Sequence, residues 1–399
     1  MRRDATVMAL VGAADDGTFR TGLRQWLAQA YAEFAASWKD GPQPRVLAYR
    51  KAWEDRLCAQ GWSALGWPTQ YGGLALPLSR QAIFHEEHAR CGAPLGVNLI
   101  GHGILAPTLL HFGSDAQKER FLPGIRTNRE VWCQGYSEPG AGSDLASVRT
   151  RAEPDGDGWR LNGHKIWTSF ADLAQWAFVL ARTNLQAPRH RGLSFLLVDM
   201  RAPGVRVEPI RQLTAEAEFC EVFFEDVRVP RDQLVGEVDQ GWRIAMAAAS
   251  FERGTYFIPR LVRFAQELAQ LRRLAQNPDA RGRRPSDDVG FRRQWARLAV
   301  DSHVLALKSQ RALAAAMRGD PPGPQGSSTK VHWSEAHQRL LELGMHVQGL
   351  DACAPAGMSG LADEMTHAYL WSRAETILAG TSEIQRNIIA EHMLGLPRG

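Results

Sequence analysis

The hydrophobic period of this chain switches from helical to extended near residue 132 and back to helical near residue 238. That double switch constrains the fold to helices, then strands, then helices, in series. In the first stretch Phe19, Leu23, Trp26, Leu27, Ala30, Tyr31 and Phe34 recur at spacings of three and four, which places them on one helix face. A second helix is predicted through Leu47, Trp53 and Leu57, and a loop at Gly66-Trp67-Pro68 and Tyr71-Gly72-Gly73. Further helices are predicted over 79–88 and 104–112 and from Asp115 onward. In the middle stretch Asn162-Gly163 separates Trp159-Arg160-Leu161 from Lys165-Ile166-Trp167. Asn-Gly tolerates positive φ at both positions, so a hairpin turn is expected there. Residues 193–198 form an apolar run suited to a buried strand, and 205–207, 221–224 and 227–230 continue the extended character. In the last stretch 242–274 reads as one long periodic segment and 275–290 as an exposed loop. Helices follow over 295–317 and 329–345, divided by Pro321-Pro322-Gly323-Pro324, and a last one runs from Thr381 to Met393. The reading divides the chain into a tail over 1–16, a helical domain over 17–131, a β domain over 132–237 and a helical bundle over 238–399.

A length of 399 residues suits two or three domains of this kind. The formal net charge of +4 is mild and argues against a nucleic-acid or membrane-surface partner. Cys58, Cys91, Cys133, Cys220 and Cys353 are odd in number and widely spaced, so they predict neither a disulfide framework nor a metal site. Reduced thiols suit a cytoplasmic protein. No apolar run approaches the roughly 18 residues that a membrane span needs. The opening Met1-Arg2-Arg3-Asp4 is followed by too short an apolar stretch for a signal peptide.

Three blocks carry the chemistry. Ser137-Glu138-Pro139-Gly140-Ala141-Gly142-Ser143-Asp144 combines small residues, which let backbone amides approach a ligand, with two hydroxyls. Taken alone, it serves equally well as a turn connecting two domains. Lys165-Ile166-Trp167-Thr168-Ser169 and Gly380-Thr381-Ser382-Glu383-Ile384-Gln385-Arg386 follow downstream. In this order and at these separations the three blocks resemble the acyl-CoA dehydrogenase family of flavoproteins, and the resemblance covers nearly the whole chain.

The resemblance implies an α+β multidomain fold: an N-terminal helical domain, a middle β-barrel and a C-terminal four-helix bundle. It implies FAD as cofactor, with Gln134, Tyr136 and Ser137 facing the flavin ring and Gly142 and Ser143 beside phosphate and substrate. Trp167 and Ser169 match the positions that cover one flavin face and hydrogen-bond its ring. This chain has Trp-Thr-Ser-Phe where many relatives have Trp-Ile-Thr-Asn, so the hydroxyl is kept. The plainer alternative for Trp167 is a strand core residue. Thr381 and Glu383 match positions near the cofactor, and a hydroxyl there also caps a helix. The Arg-x-x-Phe-Gly block of many relatives is absent. Its place is taken by Arg281-Gly282-Arg283-Arg284-Pro285-Ser286-Asp287-Asp288, either a pyrophosphate holder or an ordinary solvated loop.

The family reaction is α,β-dehydrogenation of an acyl-CoA thioester, in which a carboxylate takes the α-proton. Many members carry that carboxylate where this chain has Ala379. Members similar to isovaleryl-CoA and long-chain acyl-CoA dehydrogenases carry it on an earlier helix within a Glu-Arg pair, which Phe251-Glu252-Arg253 matches. The resemblance therefore implies Glu252 as base, in an apolar setting from Phe251 and Tyr256, with Arg253 orienting the site. The alternative for Glu252 is an ion-paired helix glutamate. His85, His88 and His102 show no hydrolase or metal pattern and read as structural, with Gly101-His102-Gly103 the alternative border of an acyl pocket. By the same resemblance, FAD at a subunit interface implies a homodimer or homotetramer, and electron-transfer flavoprotein is the expected acceptor. Two rivals stand beside this: a base-lacking structural subunit of a heteromeric acyl-CoA dehydrogenase, and a same-fold flavin oxidase or monooxygenase.

Overall fold

The structure, a computed structural model, describes residues 5–39, 41–252, 255–278, 282–320, 323–349, 352 and 360–397; the side chains at 252 and 360–363 fall outside it. The chain forms two units, Met1–Tyr256 and Phe257–Gly399.

The first unit opens with α1 (Ala5–Val11) and α2 (Asp16–Ser37). Asp15 caps α2 by accepting a hydrogen bond of 2.8 Å from the Thr18 backbone N–H. Phe19, Leu23, Leu27, Ala30 and Phe34 are buried along one face, as their spacing predicts, and pack with Tyr49, Trp53 and Leu57 of α3 (Leu47–Gln60). After α4 (Leu78–Arg90), a π-helical turn over Gly101–Leu105 leads into α5 (Ala106–Phe112). A capping box between Ser114 and Gln117 starts α6 (Asp115–Arg126).

The strands are β1 (Trp132–Gly135), β2 (Arg151–Asp155), β3 (Gly158–Ser169), β4 (Trp176–Arg182), β5 (Leu193–Asp199), β6 (Val205–Ile210), β7 (Phe219–Pro230) and β8 (Leu234–Val235). They join one eight-stranded sheet in the order β6-β7-β3-β2-β4-β5-β8, with β1 pairing parallel to β4. Both faces of β4 are buried. Trp176, Phe178 and Leu180 enter a core shared with Leu109 of α5 and Phe121 of α6, while Ala177, Val179 and Ala181 enter a second core within the sheet. That double burial explains why these strands read as continuous apolar runs.

One expected turn is not there. Asn162-Gly163 lies inside β3, and the β2–β3 hairpin closes instead where Asp155 pairs with Gly158, with Gly156 at φ 60°. At Asn162-Gly163 the pairing of β3 with β7 slips by a residue, a bulge. Asn162 Oδ1 accepts from the Asp226 N–H at 2.9 Å, and a Cβ on Gly163 would come within 2.3 Å of Thr150 Oγ1. Glycine is therefore needed for close strand approach rather than for a turn.

The segment 242–274 is likewise not one helix. It divides into α7 (Gly241–Glu252) and α8 (Ile258–Ala275), with a 3₁₀ turn at Thr255–Phe257 and Pro259 in the first turn of α8. Proline is tolerated in a first turn because it lacks only an N–H that has no helical partner there. The second unit contains α8, α9 (Val289–Met317), α10 (Gln325–Gln348), α11 (Gly360–Ser372), which the sequence reading did not anticipate, and α12 (Ser382–His392). α10 is its centre and packs against the other four. Cys58, Cys91, Cys133 and Cys220 are free thiols, and Cys353 lies outside the described residues. No helix among the described residues is long and apolar enough to cross a membrane, and no group of His, Cys, Asp or Glu among them is placed to hold a metal.

Candidate active site

β1 delivers Gln134 and Tyr136 into the loop over 137–144. Two reciprocal backbone bonds, Glu138 N–H to Ala141 O at 3.1 Å and Ala141 N–H to Glu138 O at 2.9 Å, close its turn. Tyr136 is buried, Gln134 and Ser137 are partly buried, and Gly142 and Ser143 are exposed. A Cβ built on Gly140 or Gly142 would meet nothing within 4 Å, so the loop presents bare backbone to open space.

Beneath the loop lies a pair that the motif reading did not assign. The Lys165 side chain is fully buried, and its Nζ donates to Glu138 Oε1 at 2.8 Å, Tyr136 O at 3.0 Å and Leu180 O at 2.8 Å. The Glu138 carboxylate also accepts from the N–H groups of Arg149 at 2.6 Å and Thr150 at 2.8 Å. Burial pushes the Lys165 ammonium down to about 8, against the pull of Glu138. Burial disfavours the Glu138 charge too, but the Lys165 ammonium and these hydrogen bonds outweigh it and hold the carboxyl below its usual range. The Ile166 N–H donates to Ser137 O at 2.9 Å. The loop is thus fastened to β3 immediately before Trp167. The sequence signal was Lys165 itself, a cation at an inward position of a strand that otherwise buries apolar groups.

Trp167 is not a core residue. The β3–β7 register shifts between Lys165 and Thr168, Trp167 adopts φ 60°, and its side chain is 57 % exposed. A bulge re-aims this large ring outward, in a conformation rare for a bulky residue, which makes Trp167 a candidate functional position. Thr168 points inward and is buried, while Ser169 is partly buried. An open indole face, a hydroxyl two residues on and a bare glycine loop tied to the same strand fit FAD, which needs an apolar wall, partners for its ring edge and donors for its phosphates.

Thr381 and Glu383 lie in the second unit. The Thr381 hydroxyl accepts from the Ile384 N–H at 3.2 Å and so caps α12, while Glu383 is exposed in its first turn. Just before them Ala379 and Gly380 both have positive φ, 53° and 86°. Gln385 Nε2 donates to Ala379 O at 2.9 Å, and Lys330 Nζ, on α10, donates to Gly380 O at 2.8 Å. Seven residues along α10, His337 places Nδ1 2.8 Å from Glu375 and Nε2 2.7 Å from Glu267 of α8. Burial works against its charge, but carboxylates at both ring nitrogens hold the His337 imidazolium up to about 10. Lys330, Ser334 and His337 are polar residues on the helix stripe that Leu341 continues into the core, the signal by which a sequence shows such a clamp.

Glu252 is the last residue of α7, and its side chain lies outside the described residues, as do the whole of Arg253 and Arg281. Tyr256, expected to flank the base, is placed against Gly103 and His85.

The models of the acyl-CoA dehydrogenase N-terminal, middle and C-terminal domains match residues 14–129, 133–227 and 239–394. Acyl-CoA dehydrogenase IpdE1 of Mycobacterium tuberculosis is 47% identical over 392 residues, which cover 95% of this chain and 97% of that one. Among solved structures, the ChsE4-ChsE5 complex from Mycobacterium tuberculosis is similar with a TM-score of 0.83 at 30% identity, covering 97% of this chain and 99% of that one. The Tcur3481-Tcur3483 steroid ACAD has a TM-score of 0.83 at 27% identity, covering 95% of this chain and 98% of that one. On domain content, fold and site together, the chain belongs to the acyl-CoA dehydrogenase family of FAD-dependent oxidoreductases.

Proposed function

We propose that the chain dehydrogenates a bulky acyl-CoA thioester to the 2-enoyl-CoA, with Glu252 as the base that takes the α-proton. Bound FAD supplies the two-electron acceptor for the β-hydrogen. Gln134, Tyr136, Ser137, Gly142, Ser143, Trp167, Ser169, Thr381 and Glu383 are the proposed flavin contacts. The observation that carries the reading is Trp167, turned out of β3 beside a loop fastened by Lys165 and Glu138. Glu252 is the last residue of α7, on the segment where the resemblance places the base. Ala379 has no proton to exchange, and Arg253 is assigned to orienting the site. A bulky acyl group is in keeping with the similarity to a steroid ACAD.

A second reading concerns assembly. ChsE4-ChsE5 and Tcur3481-Tcur3483 are each named as a pair of different proteins. With Ala379 at one base position, this supports a chain that works beside a related subunit rather than only its own copies. Electron-transfer flavoprotein is the proposed acceptor and the cytoplasm the proposed location.

Anaerobic mixing with a panel of acyl-CoA thioesters tests the reaction. Flavin bleaching that disappears in Glu252→Gln is expected. A Glu252→Gln protein that bleaches as fast as wild type would remove Glu252 from the role of base. Flavin that no thioester reduces would count against the dehydrogenation itself.

A further inference from the structure

The histidines of the first unit are not alike. His88 Nε2 accepts from the Trp53 indole N–H at 2.9 Å, and His102 Nε2 lies 4.0 Å from Cys58 Sγ. His85, one turn before His88 on α4, has no hydrogen-bond partner among the described residues. Its ring lies against Tyr256 with centroids 4.7 Å apart, and the Tyr256 hydroxyl is also without a partner among the described residues. Both side chains keep partial exposure. The Tyr256 ring rests on Gly103: a Cβ there would stand 3.1 Å from two ring atoms and 3.2 Å from a third. Gly103 belongs to the π-helical turn Gly101–Leu105, a departure from α geometry that recurs at functional positions. α7 packs on that turn, and Tyr256 follows Glu252 by four residues.

We propose that His85 and Tyr256 are a specificity-determining pair that hydrogen-bonds an uncharged oxygen, a ketone or hydroxyl, on the part of the acyl group remote from the thioester. The proposal rests on the acyl-CoA dehydrogenase reading with Glu252 as base. A site for a plain hydrocarbon chain gains nothing from two unmatched polar heads, since each loses solvation without a partner. Burial pushes the His85 imidazolium down to about 4, so at neutral pH the ring offers one donor and one acceptor. Burial likewise pushes the Tyr256 phenol up, so it stays a hydroxyl. A ligand carboxylate is disfavoured because the pair itself is uncharged, so it offers no cation to offset the cost of burying that charge.

The test compares 3-cyclohexylpropanoyl-CoA with its 2-, 3- and 4-oxo and hydroxy ring counterparts, using FAD-loaded protein with its partner subunit where one is required. In wild type at least one oxygenated thioester is expected to exceed the parent in kcat/KM by about tenfold or more. Tyr256→Phe, His85→Phe and His85→Gln should each cut that preference to below about threefold, while the parent thioester stays within about threefold of wild type. Tyr256→Phe removes one oxygen and His85→Gln keeps a polar head, so these two decide the matter if His85→Phe does not fold. Equal use of all thioesters by wild type, or a preference that survives both Tyr256→Phe and His85→Gln, overturns the proposal. Calorimetric binding of the same series to Glu252→Gln holoenzyme reads the preference without turnover. Binding without preference there rejects the pair, whereas flavin that no thioester reduces in wild type rejects the dehydrogenase reading instead.

Discussion

A buried cation, Lys165, ties the glycine loop to β3 beneath the proposed flavin contacts. Its ammonium holds one carboxylate and two carbonyl oxygens, so removing it strands the Glu138 charge out of water. Lys165→Met should cost about 3–5 kcal/mol of stability and lower the FAD retained on purification. The double variant Lys165→Met with Glu138→Gln should recover part of the stability, because no unpaired charge is left. Urea unfolding and flavin absorbance measure the two effects, and a single variant as stable as wild type would refute the pairing argument. Trp167 makes the opposite case. With 57 % of its side chain exposed, Trp167→Ala should leave the melting temperature nearly unchanged while weakening FAD binding by about 1 kcal/mol. Equilibrium dialysis of FAD decides it, and unchanged affinity would remove Trp167 from the flavin wall.

At the scale of elements, α10 holds the second unit together through its polar core positions. His337 bridges Glu267 of α8 and Glu375 beyond α11, and both ring nitrogens must carry protons to donate to both carboxylates. Its folded-state pKa of about 10 exceeds the ordinary 6.5, so its contribution to stability is full below about 6.5 and is lost as pH rises toward 10. Melting temperatures should fall over that window in wild type and fall less in His337→Gln. Parallel curves for the two proteins would show that His337 is not the group responsible. Helices were the legible part of this architecture: the buried face of α2 follows its three-and-four spacing, and α3, α9, α10 and α12 overlap the predicted helical stretches. Asn162-Gly163 misled because the same glycine that suits a turn also lets β3 pass close to Thr150. The break between α7 and α8 was hidden because apolar residues keep helical spacing across it, although Pro259 marked the restart. The flavin blocks were legible as motifs, but the outward turn of Trp167 depends on a two-strand register that local sequence does not encode.

For the whole molecule, FAD bound to the folded chain should act on global stability. A ligand that binds only the folded state stabilises it by mass action, about 2.7 kcal/mol at roughly a hundredfold excess over its Kd. The chain lacks the Arg-x-x-Phe-Gly block, and similar proteins are named as pairs. If a related subunit completes the adenine side of the site, FAD alone should raise the melting temperature of the isolated chain only slightly. The same FAD should raise that of the co-purified pair by several degrees, and native mass spectrometry should find FAD on the mixed assembly rather than on the lone chain. The pair should also be the species whose flavin an acyl-CoA reduces. An isolated chain that forms only homo-oligomers, takes up one FAD per chain at micromolar concentration and is reduced by thioester at full rate would exclude a required partner. That result would also place the adenine contacts on this chain's own residues.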